Sequence, residues 1–209
     1  MRKKLYEASA EHPDLVQSLN NLGVVHGVLG QHEKSLDYAL KAYEMRRHLF
    51  EDEHPDLVES LINIGLCFSH LDEHLKALAF YLKAYEMQCS LYTPENVELV
   101  ESLHCIGECY ANLSQHKHAL FYYIEAYEIQ QKNCVAESSA ELAKTLSNIA
   151  LCYERLNEHG NAIEFYEKLH EAYEKVHKGE KHADTFRCLA NLGNNFKKIK
   201  EIKLKEAIK

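Results

Sequence analysis

Tryptophan is absent from this 209-residue chain, and proline and glycine are scarce, at 3 and 8 residues. An all-β sandwich or barrel needs frequent turns built from those residues, so that class is disfavoured. Long apolar runs are lacking too. None approaches the ~20 residues of a membrane span, and no signal-peptide core follows Met1-Arg2-Lys3-Lys4. The chain therefore reads as soluble and not secreted by a cleavable signal. Seven cysteines form an odd set without C-x-x-C spacing, which suits a reducing, cytoplasmic compartment better than a disulfide framework. Basic residues are the minority: 24 Lys and Arg against 32 Asp and Glu leave a net charge of -8. Nucleic acid and anionic membrane would both meet repulsion, so neither is expected as a partner. What remains is ordinary for a folded, helix-rich domain, 46% hydrophobic and 27% charged.

The sequence repeats itself. His12-Pro13-Asp14-Leu15-Val16-Gln17-Ser18-Leu19 returns as His54-Pro55-Asp56-Leu57-Val58-Glu59-Ser60-Leu61, 42 residues on. Leu99-Val100-Glu101-Ser102-Leu103 keeps the offset, and Leu146 and Leu189 follow at 43. Small residues hold one phase (Gly23, Gly65, Gly107, Ala150, Gly193), and Ala-Tyr-Glu holds another (Tyr43, Tyr85, Tyr127). The extra residue between the third and fourth units falls in the segment Asn133–Ser138. Such periodicity marks a repeat architecture.

Each unit carries two helical patterns. Leu15, Leu19, Leu22, His26 and Leu29 form one stripe, Leu36, Leu40 and Tyr43 a second, and Leu29-Gly30-Gln31 separates them. Pro13 and Asp14 suit a first helical turn. Two short helices cannot bury their apolar faces alone, so the units must stack into an α-solenoid. The expected division is a remnant over 1–11, repeats over 12–53, 54–95, 96–138 and 139–181, then a fifth first helix with a Lys-rich capping tail over 182–209. In that tail six lysines (197, 198, 200, 203, 205, 209) oppose Glu201 and Glu206, for +4.

Catalytic constellations are not found. No phosphate-binding loop, dinucleotide turn or nucleophile elbow appears, so the chain reads as a non-enzyme without cofactor or metal. Histidines are numerous, at 14, but many are locked to the repeat. His12, His54 and His182 open first helices, while His32, His74, His116 and His159 sit between helices. Ligands of one metal must converge, whereas these are a whole unit apart. Glu-x-x-His pairs (Glu51/His54, Glu101/His104, Glu167/His170, Glu174/His177) are likewise scattered. Cys67, Cys109 and Cys152 share the small-residue phase and read as buried hydrophobes. The aromatics cluster at second-helix positions (Tyr43, Tyr81, Tyr85, Tyr123, Tyr127, Tyr166), where they read as core.

The residues Leu19, Leu22 and Gly23, the aromatic three places on (Phe68, Tyr110, Tyr153, Phe196), and the spacing Ala77/Tyr81/Ala84 and Ala119/Tyr123/Ala126 resemble the tetratricopeptide repeat. The 42-residue period with its His-Pro-Asp-Leu-Val head is similar to the kinesin light chain and nephrocystin subclass. His26 replaces the aromatic in the first unit, and Leu169-His170 interrupts the Ala-Tyr pattern in the fourth. The resemblance implies an all-α, right-handed superhelix of antiparallel helix-turn-helix units whose first helices line a concave groove. It implies protein partners: a peptide or helical segment held in that groove, as in an adaptor or scaffold. A spacer, or the targeting arm of a larger enzyme or signalling NTPase, is the alternative, and self-association through the array ends is a further expectation.

One row does not look structural. Asn21, Asn63, Asn148 and Asn191 share a helix-interior register, broken by Cys105, although Asn is a poor helix former. In the resembling subclass this Asn holds a peptide main chain; a ladder linking adjacent helices is the other reading. Near it lie Glu59, Glu101 and Glu108, then Lys144, Arg155 and Arg187. The groove is thus expected to be acidic in the middle units and basic later, and to suit a segment with one basic and one acidic stretch.

Overall fold

The computed structural model describes residues 13–50, 53–133, 140–177 and 182–207. Among the described residues there are nine helices and no strand: α1 (Pro13–Val28), α2 (His32–Leu49), α3 (Pro55–His70), α4 (His74–Leu91), α5 (Leu99–Asn112), α6 (His116–Lys132), α7 (Ala140–Arg155), α8 (His159–His177) and α9 (Ala183–Ala207). The fold is an all-α helical-repeat solenoid. No helix among the described residues is long and apolar enough to cross a membrane.

Local chemistry explains where helices start and stop. At the head of α3, the His54 Nδ1 accepts the Asp56 backbone N–H at 3.1 Å, and Pro55 occupies the first turn, where its missing N–H costs nothing. His182 caps α9 in the same way, accepting from the Asp184 N–H at 3.3 Å. The repeat-locked histidines at these two heads are therefore caps; His12 lies outside the described residues. Each hairpin turn holds one residue at positive φ: Gly30, Asp72, Ser114 and Asn157. The next N–H then returns five residues, from Gln31 to the His26 carbonyl, Glu73 to Phe68, Gln115 to Tyr110 and Glu158 to Tyr153, at 2.8 to 2.9 Å. This is the Schellman closure, which satisfies the orphan carbonyls of the ending helix.

Within hairpins the two helices pack ring on ring. His26 stacks on Tyr38, Phe68 on Phe80, Tyr110 on Tyr122 and Tyr153 on Phe165, with centroids 5.3 to 5.6 Å apart. The pairs are twelve residues apart each time. Gly65 takes the edge of the Tyr81 ring so closely that an added Cβ would meet it at 2.6 Å.

The chain divides into two units, residues 1–109 and 110–209, with the boundary inside α5. The core of the first gathers Ala39, Tyr43, Leu57, Val58, Leu61, Ile64, Cys67 and Ala84. The core of the second is built from Tyr123, Leu142, Leu146, Ile149, Ala150, Phe165, Tyr166 and Leu169, with Cys152 and Cys188 among them. The Cys67, Cys109 and Cys152 phase is buried, and so are Tyr43, Tyr81, Tyr123 and Tyr166; Tyr85 and Tyr127 are half-buried. The α1 stripe behaves differently from its repeats. Leu57 and Ile64 of α3 are buried and α3 packs on α2, whereas Leu15 and Leu22 of α1 are exposed. Most of the Asn133–Ser138 segment, 134–138, lies outside the described residues.

Candidate functional site

In the first unit α1 and α3 flank a cleft of about 320 Å³. Its α1 wall is Asn20, Gly23, Val24, Gly27 and Val28, spaced as one helical face. Asn63, Leu66, Cys67 and His70 of α3 face it, and Ser35 and Ala39 of α2 lie at the floor. Small residues open this space by letting α2 approach. The Ser35 hydroxyl donates to the Gly23 carbonyl at 2.7 Å, and a Cβ at Gly27 would come within 3.3 Å of that oxygen. Val24, Val28 and Leu66 are exposed, so the walls are apolar and open to solvent. At the rim, His70 stacks on His32 with centroids 4.9 Å apart.

Beneath the cleft lies a buried cation. Arg46, 4% exposed, donates to the Asp56 carbonyl and the Ser60 hydroxyl at 2.7 Å each, and to the Glu59 carboxylate at 3.0 Å. With its amide oxygen turned inward, the buried Asn20 also accepts from Arg46, at 3.0 Å. Glu59 is therefore tied to a guanidinium. Its side chain nevertheless remains 56% exposed.

The asparagine row separates into different environments. Asn63 lines the α1–α3 cleft, but Asn21 is exposed and accepts from Gln17 at 3.2 Å; its neighbour Asn20 faces the cleft instead. The signal was present: Asn20, Gly23 and Gly27 share one helical face, and Asn21 does not. On α5, Glu101 and Glu108 are exposed on the same face as Cys105. Below them the Tyr81 hydroxyl has its pKa raised, first by burial and then by Cys105, Cys109 and Glu108.

In the second unit Asn148 borders two clefts. One, about 450 Å³, includes Asn112, His116, Tyr123, Leu151 and Arg155; the other, about 350 Å³, includes Lys144, Ser147, Tyr173, Asp184 and Arg187. The α7 side chains Lys144, Asn148 and Arg155 are thus gathered along one helix. Arg187 is paired with Asp184 at 2.8 Å, so the two charges offset each other at the cleft. Asn191 is occupied internally, donating to the Tyr166 hydroxyl at 3.3 Å. That hydroxyl donates to Glu154 at 3.0 Å; Asn195 donates to the same carboxylate oxygen at 3.3 Å and pairs with the buried His159 at 2.8 Å. The Asn191–Tyr166 contact joins α8 to α9. Sequence reasoning did not find this network, because Glu154, Asn195 and His159 lie in three different helices. Among the described residues no three His, Cys, Asp or Glu side chains cluster as metal ligands.

Known proteins agree with this construction. One tetratricopeptide repeat profile matches residues 14–90 and 141–203, and another matches 100–133. The crystal structure of BtubC (BKLC) from P. vanneervenii is similar at a TM-score of 0.78 and 20% identity, over 99% of this chain and 81% of that one. A structure of kinesin light chain nearly identical TPR-like repeats from Podosopora anserina also gives 0.78, at 15% identity over 94% and 92%. A Rap protein complexed with Competence and Sporulation Factor gives 0.64, at 16% identity over 91% and 50%. No curated protein matches the sequence. Repeats that open on histidine-capped helices and stack ring on ring within each hairpin, matched along most of the chain, place this protein in the tetratricopeptide repeat family.

Proposed function

We propose that this scaffold holds an extended segment of a partner protein and seats one apolar side chain of it between α1 and α3. The observation that carries the reading is the cleft itself: exposed Val24, Val28 and Leu66 beside the half-buried Asn63 amide. Apolar walls reward burial of a side chain by roughly 25 cal/mol per Å². Asn63 supplies both a donor and an acceptor to a peptide main chain without reading its sequence. The exposed Glu101 and Glu108 of the first unit favour a basic flank on that segment. In the second unit Asn148 with Lys144 and Arg155 forms a comparable patch of opposite sign, suited to an acidic segment. Glu59, Asn21 and Asn191 are excluded from this reading because their bonds are made within the chain. The structural neighbour that is complexed with Competence and Sporulation Factor lends support by analogy.

Selection of a displayed random peptide library against the whole chain tests the proposal. Enriched peptides should carry an apolar residue flanked by Lys or Arg. Leu66→Asp and Asn63→Ala should each weaken them by about tenfold at an unchanged melting temperature. Retained affinity in both variants, or a library that yields no binder, would return the chain to the role of spacer or targeting arm.

A further inference from the structure

The last described helix exposes the face that the first helices α3, α5 and α7 bury. Phe186 of α9 occupies the register of Val58, Val100 and Ala143, and Leu189 that of Leu61, Leu103 and Leu146. Those counterparts are at most 8% exposed, whereas Phe186 and Leu189 are 57% and 43% exposed. Gly193 continues the stripe: a Cβ there would meet nothing within 4 Å, while at Gly65, in the same register, it would strike the Tyr81 ring. Phe196, 53% exposed, sits where Phe68, Tyr110 and Tyr153 each stack on a ring twelve residues later. Its own twelfth neighbour is Ile208, which is not aromatic. Nor does α9 turn as the other first helices do. Gly30, Asp72, Ser114 and Asn157 turn their hairpins at positive φ, but Lys200, in their register, is helical and α9 runs on to Ala207. The hairpin turn that would lay a second helix over this face is therefore not made.

We propose that this face of α9 docks a helix from a partner protein: an acidic amphipathic helix presenting one aromatic ring to Phe196 and a second to the open space at Gly193. The shape requirement comes from α8, which covers the equivalent face of α7 by stacking Phe165 on Tyr153 and packing Tyr166 in the core with Ala150. The charge requirement comes from the exposed Lys200 and Lys203, which extend the Phe196 side of the stripe, and from Lys197 beside it. This surface is separate from the α1–α3 cleft and does not rest on its assignment.

The probe is a labelled peptide of this chain's own residues 159–177, the α8 sequence, in which four glutamates oppose two lysines. It is added to the whole protein and followed by fluorescence anisotropy. Phe196→Asp should weaken binding by at least about tenfold, since one buried aromatic is lost. Helicity and melting temperature should hold, because the ring is exposed. Lys200→Glu with Lys203→Glu should weaken binding and flatten its salt dependence. A peptide of residues 74–91, with two lysines against one glutamate, should bind more weakly than 159–177. Asn63→Ala should leave all of this unchanged. Binding that ignores Phe196→Asp, or a 74–91 peptide that binds as well, overturns the proposal. So does concentration-dependent self-association in sedimentation that Phe196→Asp abolishes, since the occupant would then be a second copy.

Discussion

Glycine recurs at one register, yet its surroundings differ at each place. At Gly65 the Tyr81 ring lies where a Cβ would go, at Gly23 the nearest atoms of α2 stand at 3.5 Å, and at Gly193 there is open space. The same substitution therefore has opposite signs. Gly65→Ala must displace an aromatic ring buried on both sides, which costs about 1–3 kcal/mol against roughly 1 kcal/mol of helix propensity recovered. Gly193→Ala meets no neighbour, so the propensity gain of up to about 1 kcal/mol survives. Urea titrations of both variants check this; equal midpoints would mean that α3 and α4 do not approach as described. The small-residue phase was legible from the repeat alone. Which of its members is tightly packed was not, because that depends on what the second helix places opposite.

Among the elements, the joint between α2 and α3 rests on Arg46. Its guanidinium satisfies a carbonyl, a hydroxyl and a carboxylate from inside the protein. One repeat later Gln88 takes the place, and its amide donates to the Glu98 carbonyl at 2.7 Å, the counterpart of the Asp56 bond. Arg46→Ala should destabilise by about 2–4 kcal/mol, most of it from buried acceptors left without donors. Arg46→Gln should cost less, since the next repeat shows that an amide can span the same gap. Denaturant unfolding of the two variants reads the difference, and an Arg46→Ala as stable as the parent would leave the joint without importance. In the sequence nothing links Arg46 to Glu59, 13 residues on. Only the packing of α2 on α3 shows that they are partners. The helices themselves were far more legible, because apolar spacing, His-Pro heads and the breaks between stripes all report local backbone preference.

Across the whole molecule, buried thiols make stability depend on alkaline pH. Burial pushes Cys109 up to about 12, assisted by Cys105 and Glu108, and pushes Cys152 and Cys188 up to about 11. A thiol pKa raised in the folded state favours the neutral form there. Once pH passes the ordinary thiol value of roughly 8.5, the unfolded chain loses protons that the folded chain keeps, and stability falls. Melting temperature should therefore drop as pH rises from about 8.5 toward 11, and drop less in a Cys109→Ala, Cys152→Ala variant, judged by the slope against pH. A variant with the parent's slope would show that these thiols ionise alike in both states.

Sequence alone determined the architecture, because a repeat states its helix pattern several times over and chance errors do not repeat. It also determined the turns, the capping histidines at His54 and His182 and the buried cysteine phase, all of which follow from local geometry and periodic burial. The tertiary structure decided the rest. Asn21 points away while Asn20 faces the cleft, Glu59 is neutralised by Arg46, Asn191 is spent on Tyr166, and α9 leaves an apolar face open. Each of these depends on which side chain from another helix arrives within hydrogen-bond or van der Waals reach. A periodic sequence gives equivalent positions the same expectation, and packing against unequal neighbours is what makes them different.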